Sequence, residues 1–228
     1  MLDTSILQQV TDIFRNLEAN YTFRLTQSPQ REESGQLIAF LNDFATTSPH
    51  LNVEIHEADG NTLFFTLLKN GEETGITFRG IPNGHEFTSL LLAVLNADGK
   101  GKNLPDEGIV RRVRALKGDI RLQTYVSLTC TNCPDVVQTL NIFALLNPNI
   151  RHEMIDGALF QEEVDNLGNK FIRHLIIFFD IIRISQHIRI QASLLRIFVS
   201  RVGRLQDRMG RLSAPRALCK FHHRYPRQ

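Results

Sequence analysis

Leu128-Thr129-Cys130-Thr131-Asn132-Cys133-Pro134-Asp135 stands between a run that reads as a strand and a run that reads as a helix. Upstream, residues 120–128 form a short β-rich block with Leu122, Thr124, Tyr125 and Val126. Downstream, Val136, Val137, Leu140, Phe143 and Ala144 recur at helical spacing. Two cysteines separated by two residues at a strand-to-helix junction have the arrangement that a dithiol–disulfide exchange centre requires. The spacing predicts the first sulfur at the mouth of the helix, where free backbone N–H groups and the positive dipole end favour a thiolate. The second sulfur is expected one turn along, placed to attack a mixed disulfide made by the first. Cys130 is then the attacking thiolate and Cys133 the resolving thiol. Pro134 suits the first helical turn, where its missing N–H costs nothing. Asp135 pulls two ways, favouring the dipole while opposing ionisation of a nearby thiol.

Two other readings of the pair stay open. A CxxC is also half a zinc site, and tetrahedral zinc needs two further ligands. Cys219, His222 and His223 offer a second half in sequence. A purely structural cysteine pair is the third reading. His50, His56 and His152 are scattered without metal spacing, and the expected metal content is none.

At 228 residues the chain can hold one large domain or two small ones, each with a real core. Its first residues, Met1-Leu2-Asp3-Thr4-Ser5, lack the basic and apolar regions of a secretory signal. No apolar run reaches the length of a bilayer span, and the block 175–182 is interrupted by Asp180. A cytoplasmic protein with no membrane partner is the expectation. In a reducing compartment three cysteines do not make a disulfide scaffold, so a close pair reads as redox or metal.

The formal net charge of +2 hides a split. Residues 1–169 hold 13 Lys and Arg against 22 Asp and Glu, a balance of −9. Residues 170–228 hold 13 Lys and Arg against only Asp180 and Asp207, a balance of +11. A change of this size marks a boundary.

The first hundred residues read as a compact α/β unit. Residues 2–17 form an amphipathic helix with Ile6, Val10, Ile13, Phe14 and Leu17 on one face. A strand follows at 21–26, then a helix from Ser34 with Leu37, Ile38, Leu41 and Phe44 as its buried stripe. Strands are predicted at 51–56, 63–68 and 75–78, with Asn70-Gly71 as a hairpin turn. A helix at 85–95 closes the unit, with Phe87, Leu90, Leu91 and Val94 apolar. After the turn-rich stretch 96–105 the order begins again: helix 105–116, strand 120–126, the cysteine turn, a helix to Leu146, a strand at 150–155 and a helix at 160–167. The strands at Tyr21 and Ile120 lie about a hundred residues apart, which reads as an internal duplication. In the first copy the position of the cysteine turn is taken by Gln27-Ser28-Pro29-Gln30, so that copy has the scaffold without the thiols.

A strand, CxxC and helix inside such a unit is the thioredoxin-like pattern. The segment 128–141 around the two cysteines resembles a known family. So do Leu146-Asn147-Pro148, Ile155-Asp156-Gly157, Phe160-Gln161 and Gly84-His85-Glu86-Phe87-Thr88-Ser89-Leu90. That family is the N-terminal domain of the flavoprotein component of alkyl hydroperoxide reductase. The resemblance covers roughly residues 1–169. It implies an α/β fold of two tandem thioredoxin-like units, only the second bearing the CxxC. It also implies a relay that takes electrons from a flavin-linked dithiol through Cys130 and Cys133 to a peroxiredoxin, within a response to oxidative stress. Glu86 matches a glutamate that the resemblance places near the dithiol as an acid–base helper. Read without the family it is a solvated carboxylate at a helix start. His85 reads as a cap or surface residue, Asp156 as turn chemistry, and Asp119, Arg111, Arg112 and Arg114 as solvated faces.

The resemblance then stops. In the family a Val-Pro segment and an Asn-Gly hairpin complete the second unit, whereas this chain has no proline between Pro148 and Pro215. No GxGxxG is present, so FAD and NADH, cofactors of the full-length family, have no expected site in this chain. The expected organisation is residues 1–100 as a unit without CxxC, 101–169 as a partial unit with it, and 170–228 as a poorly ordered arginine-rich tail. Eleven Arg against two Lys in that tail, with an abrupt loss of family pattern, read as translation in a shifted frame. On this view the chain is a truncated piece of the relay, at most a dithiol shuttle, with the flavoprotein C-terminal domains and the peroxiredoxin of the same reductase as partners. A basic amphipathic helix for a membrane surface or partner is a weaker reading, and a nucleic-acid-binding arm is weaker still, since no motif accompanies the charge. The alternative function is a non-catalytic binding protein whose thioredoxin-like body carries a basic arm for an anionic surface.

Overall fold

A computed structural model describes residues 2–102 and 104–167. The expected tail at 170–228, with Cys219, His222 and His223, lies outside the described residues. The elements in order are α1 (Thr4–Phe14), β1 (Tyr21–Gln27), α2 (Glu32–Ala45), β2 (Leu51–Glu57), β3 (Leu63–Lys69), β4 (Glu72–Arg79), a single 3-10 turn (Gly84–Glu86), α3 (Phe87–Ala97), α4 (Glu107–Ala115), β5 (Ile120–Val126), α5 (Cys133–Leu146), β6 (Ile150–Asp156) and α6 (Gln161–Leu167). The chain divides into two compact units, Met1–Leu159 and Phe160–Gln228, and the second is described only over Phe160 and α6.

The six strands form one sheet in the order β2-β1-β3-β4-β6-β5. β1 pairs parallel with β2, with Tyr21 opposite Leu51, and β5 pairs parallel with β6, with Ile120 opposite Ile150. Each of these pairs joins residues thirty apart, the geometric signature of the repeated strand–helix–strand segment. β3 returns antiparallel to β1 and turns at Asn70-Gly71 into β4. Both turn residues have positive φ, 51° and 87°, as a hairpin turn matching strand twist demands. The sheet runs on across residue 100 through the parallel pairing of β4 with β6, Ile76 opposite His152.

Fifteen Phe and no Trp leave the core of the first copy to phenylalanine. Phe44 of α2 lies 5.6 Å from both Phe14 of α1 and Phe23 of β1, and 5.9 Å from Phe87 of α3, all edge to face. Phe23 continues to Phe65 at 5.8 Å, and Phe65 stacks on Phe78 at 5.2 Å. Such edge-on contacts add directional attraction to the burial of large rings. Asp3 caps α1 by accepting from Ser5 N–H at 2.7 Å.

One expectation for α1 needs correction. Val10, Phe14 and Leu17 are buried, but Ile6 and Ile13 are 37% and 48% exposed. The helical stripe is therefore narrower than its periodicity predicts, because α1 meets the core along one line of side chains. Among the described residues no helix is long and apolar enough to cross a membrane.

In the first copy, the turn that replaces the cysteines is closed by hydrogen bonds. Ser28 N–H donates to Thr62 O at 2.8 Å, and Ser34 Oγ donates to Ser28 O at 2.7 Å. Gln27 and Ser28 are buried there. The turn is thus fastened to Thr62 and Ser34, and it carries no thiol.

Candidate functional site

β5 ends at Val126, and the chain then tightens into a turn in which Cys130 N–H donates to Ser127 O at 2.8 Å. Ser127 and Thr129 hydroxyls lie 3.0 Å apart beside it. Cys133 is the first residue of α5, with buried Pro134 next to it in the opening turn. The second cysteine thus opens the helix and does not sit one turn into it, as the spacing predicted. Cys130 and Cys133 are joined as a disulfide with their Cα atoms 5.5 Å apart. Both residues are partly exposed. The sulfurs hold each other here, and no group of three or more His, Cys, Asp or Glu gathers as a metal site among the described residues.

The segment after β4 forms the neighbouring wall. Gly84 has φ +55°, and a Cβ there would lie 2.8 Å from Leu128 O, so only glycine permits this approach without displacement. His85 N–H donates to the same oxygen at 3.2 Å. The 3-10 turn is thereby fastened two residues ahead of Cys130. His85 itself is exposed, as its sequence position suggested.

Glu86 follows in that turn with 0% exposure, which removes the reading of a solvated carboxylate. Ser89 Oγ donates to Glu86 Oε2 at 2.6 Å, and Oε1 has no hydrogen-bond partner. Burial pushes the Glu86 carboxyl above its ordinary range, and the Ser89 bond opposes that rise. Local sequence gives no signal of this burial; the turn that carries Glu86 is fastened to a loop more than forty residues away.

Asp156 ends β6 opposite Val126. It accepts from Ala158 N–H at 3.0 Å, which is the turn chemistry expected of it, but it is also buried. Burial raises its carboxyl, against the pull of the Ala158 and Leu159 backbone N–H groups. Asp119 pairs with Arg121 and Arg151 on an exposed face, and Arg111 and Arg114 are exposed.

His152 sits in the core, which its scattered place in the sequence does not reveal. It is buried between β5 and α5, with Nδ1 at 2.7 Å from Asn141 Oδ1 and Nε2 at 2.9 Å from Thr124 Oγ1. A neutral ring satisfies both contacts, donating from Nδ1 and accepting at Nε2. Burial lowers its pKa from 6.5 to about 3. The unfolded chain therefore binds a proton at His152 that the folded chain refuses. The associated stability is full above pH 6.5 and is lost as pH falls toward 3. Glu86 and Asp156, with raised values, act in the opposite direction. A His152→Gln variant isolates the histidine. Between pH 7 and pH 5 the parent should lose about 2 kcal/mol more stability than the variant in urea titrations. Equal losses would show that His152 titrates normally.

No family model matches the chain. The alkyl hydroperoxide reductase protein AhpF of Staphylococcus epidermidis is 40% identical over 167 residues, which is 73% of this chain and 32% of the relative. The chain thus spans about a third of the length of the curated relatives it matches. The crystal structure of the NTD_N/C domain of alkylhydroperoxide reductase AhpF from Enterococcus faecalis is 31% identical. Its TM-score is 0.66, and the match covers 73% of this chain and 85% of that one. A protein disulfide oxidoreductase from Aeropyrum pernix shares the fold at 17% identity, with a TM-score of 0.64 over 72% of this chain and 80% of that one. A thioredoxin-like sheet, a disulfide at the β5–α5 junction and a match across nearly the whole of a solved domain point one way: the chain belongs to the family of the N-terminal domain of the alkyl hydroperoxide reductase protein AhpF.

Proposed function

We propose that this chain is a thiol–disulfide relay that passes two electrons through Cys130 and Cys133 to the disulfide of a peroxiredoxin. The observation that carries the reading is the Cys130–Cys133 disulfide, held partly exposed between β5 and α5. In the forward step the Cys130 thiolate attacks one sulfur of the partner disulfide, and the other partner sulfur leaves as a thiolate. Cys133, as thiolate, then attacks Cys130 Sγ, which closes the intramolecular disulfide and releases the second partner thiolate. The relay loses two electrons and two protons, and the partner gains both. Glu86 serves as acid–base helper.

The chain contains no glycine-rich dinucleotide loop, so its residues do not fit FAD or NADH. On this reading the reducing equivalents come from an external dithiol, which in the family is linked to the flavoprotein domains. The test is direct transfer. The chain is reduced with dithiothreitol, freed of reductant and mixed with an oxidised bacterial peroxiredoxin, and free thiols are counted by alkylation and mass spectrometry. Two thiols should appear on the peroxiredoxin as Cys130 and Cys133 lose theirs. Reduction of small disulfides alone would remove the proposed partner, and no exchange at all would remove the relay.

A further inference from the structure

We infer that Ser89 is a positioning residue for this relay: its hydroxyl pins one oxygen of the Glu86 carboxyl and leaves Oε1 as the oxygen that carries the mobile proton. The inference rests on the relay reading and goes beyond it by naming the group that orients the acid. Glu86 and Ser89 are both 0% exposed and lie three residues apart, on one face of the turn that leads into α3. The Ser89 hydroxyl has a single proton, and the 2.6 Å contact commits it to Glu86 Oε2. Its lone pairs face Gln138, whose Nε2 lies 3.5 Å away on α5, the helix that Cys133 opens. A chain of polar contacts therefore runs from the cysteine helix through Ser89 to one oxygen of Glu86. The other oxygen, Oε1, is buried without a partner.

An unpartnered buried carboxylate oxygen is costly, so that oxygen is the one that gains by holding a proton. When an external dithiol reduces the Cys130–Cys133 disulfide, the donor's two sulfurs become bonded to each other and two electrons pass to the cysteine sulfurs. Two protons must follow. The donor's two thiol protons pass to solvent, Glu86 Oε1 supplies one of the two that the cysteines take up and regains it from solvent, and solvent supplies the other. Ser89 touches neither sulfur in this scheme. It acts by fixing which oxygen is free and by stabilising the carboxylate once the proton has gone.

The test is the pH dependence of disulfide reduction by dithiothreitol, followed by alkylation, in the full chain. In the parent the rate profile should contain an inflection that Glu86→Gln abolishes. Ser89→Ala should shift this inflection to higher pH, because it removes the bond that favours the ionised carboxylate. Ser89→Thr, which keeps the hydroxyl, should restore it. Infrared titration of the carboxylic C=O stretch, read as a difference between parent and Glu86→Gln, should show the same upward shift in Ser89→Ala, whatever its exchange rate. An unmoved inflection and an unmoved infrared titration in Ser89→Ala would overturn the inference, as would a Glu86→Gln profile identical to the parent. A parent that exchanges at no pH defeats the relay itself, and that result is visible without any Ser89 variant.

Discussion

Cys133→Ser is expected to stop electron transfer and to accumulate a covalent adduct between this chain and its disulfide partner, whereas Cys130→Ser should give neither transfer nor adduct. The asymmetry follows from where the two sulfurs sit. Cys130 lies in the loop ahead of α5, and its own N–H is committed to Ser127 O. Its sulfur is bonded to that of Cys133 at the start of α5, where backbone N–H groups without helical partners stabilise negative charge, so the proposed relay takes Cys130 as the attacking thiolate. Cys133 is the first helical residue and is tied into the helix backbone, three residues from Cys130 and bonded to it in the oxidised chain. Its task is therefore intramolecular, as the thiol that resolves the adduct. Removing it leaves the first exchange intact and the second impossible. Either variant should lower turnover by on the order of a thousandfold or more, because the two sulfurs act as one unit. Non-reducing electrophoresis and mass spectrometry with a peroxiredoxin disulfide read the result, and dithiothreitol should dissolve the adduct. An adduct formed by Cys130→Ser and absent from Cys133→Ser would reverse the order of attack.

Much of this site is legible in the residues alone, and the reasons differ by position. The cysteine turn can be read because strand, CxxC and helix are all local signals, and the structure brings Cys130 and Cys133 together as a disulfide. The Asn70-Gly71 hairpin is equally local, since a two-residue turn between strands needs residues that accept positive φ. Glu86 is a different case. An acid at a helix start is usually solvated, whereas Glu86 is buried in a turn whose Gly84 and His85 dock on Leu128 O. The burial of His152 and Asp156 is not legible either, because both lie on β6, which runs between β4 and β5 in the sheet. The parallel joining of β4 to β6 has no sequence signature at all. Ile6 and Ile13 show the converse error: helical periodicity identifies them as apolar, but not which of the apolar positions the core reaches.

That joining has a consequence for stability, which Phe44→Ala should expose. Phe44 has no exposed surface and contacts the rings of Phe14, Phe23, Phe40 and Phe87, so a single side chain ties α1, β1, α2 and α3 together. Truncating a buried phenylalanine to alanine costs about 3–5 kcal/mol through lost transfer energy and the cavity left behind. Edge-to-face partners on several sides limit how far the site can collapse, which places the cost toward the upper end of that range. Total stabilities of domains are about 5–15 kcal/mol, so the loss is a large part of what holds this one together. Phe44 lies far along the chain from the cysteines, but β4 is hydrogen-bonded to β6, and β6 to β5, which delivers Cys130. The damage is therefore expected to spread across the sheet. In urea, the loss of helical signal and the exposure of reduced Cys130 and Cys133 to alkylation should share one midpoint in the parent, and both should move together to lower urea in Phe44→Ala. If the cysteine midpoint stayed where it is in the parent while the helical signal shifted, the two copies would be unfolding independently. The β4–β6 ladder would then be carrying no coupling between the phenylalanine core and the thiol site.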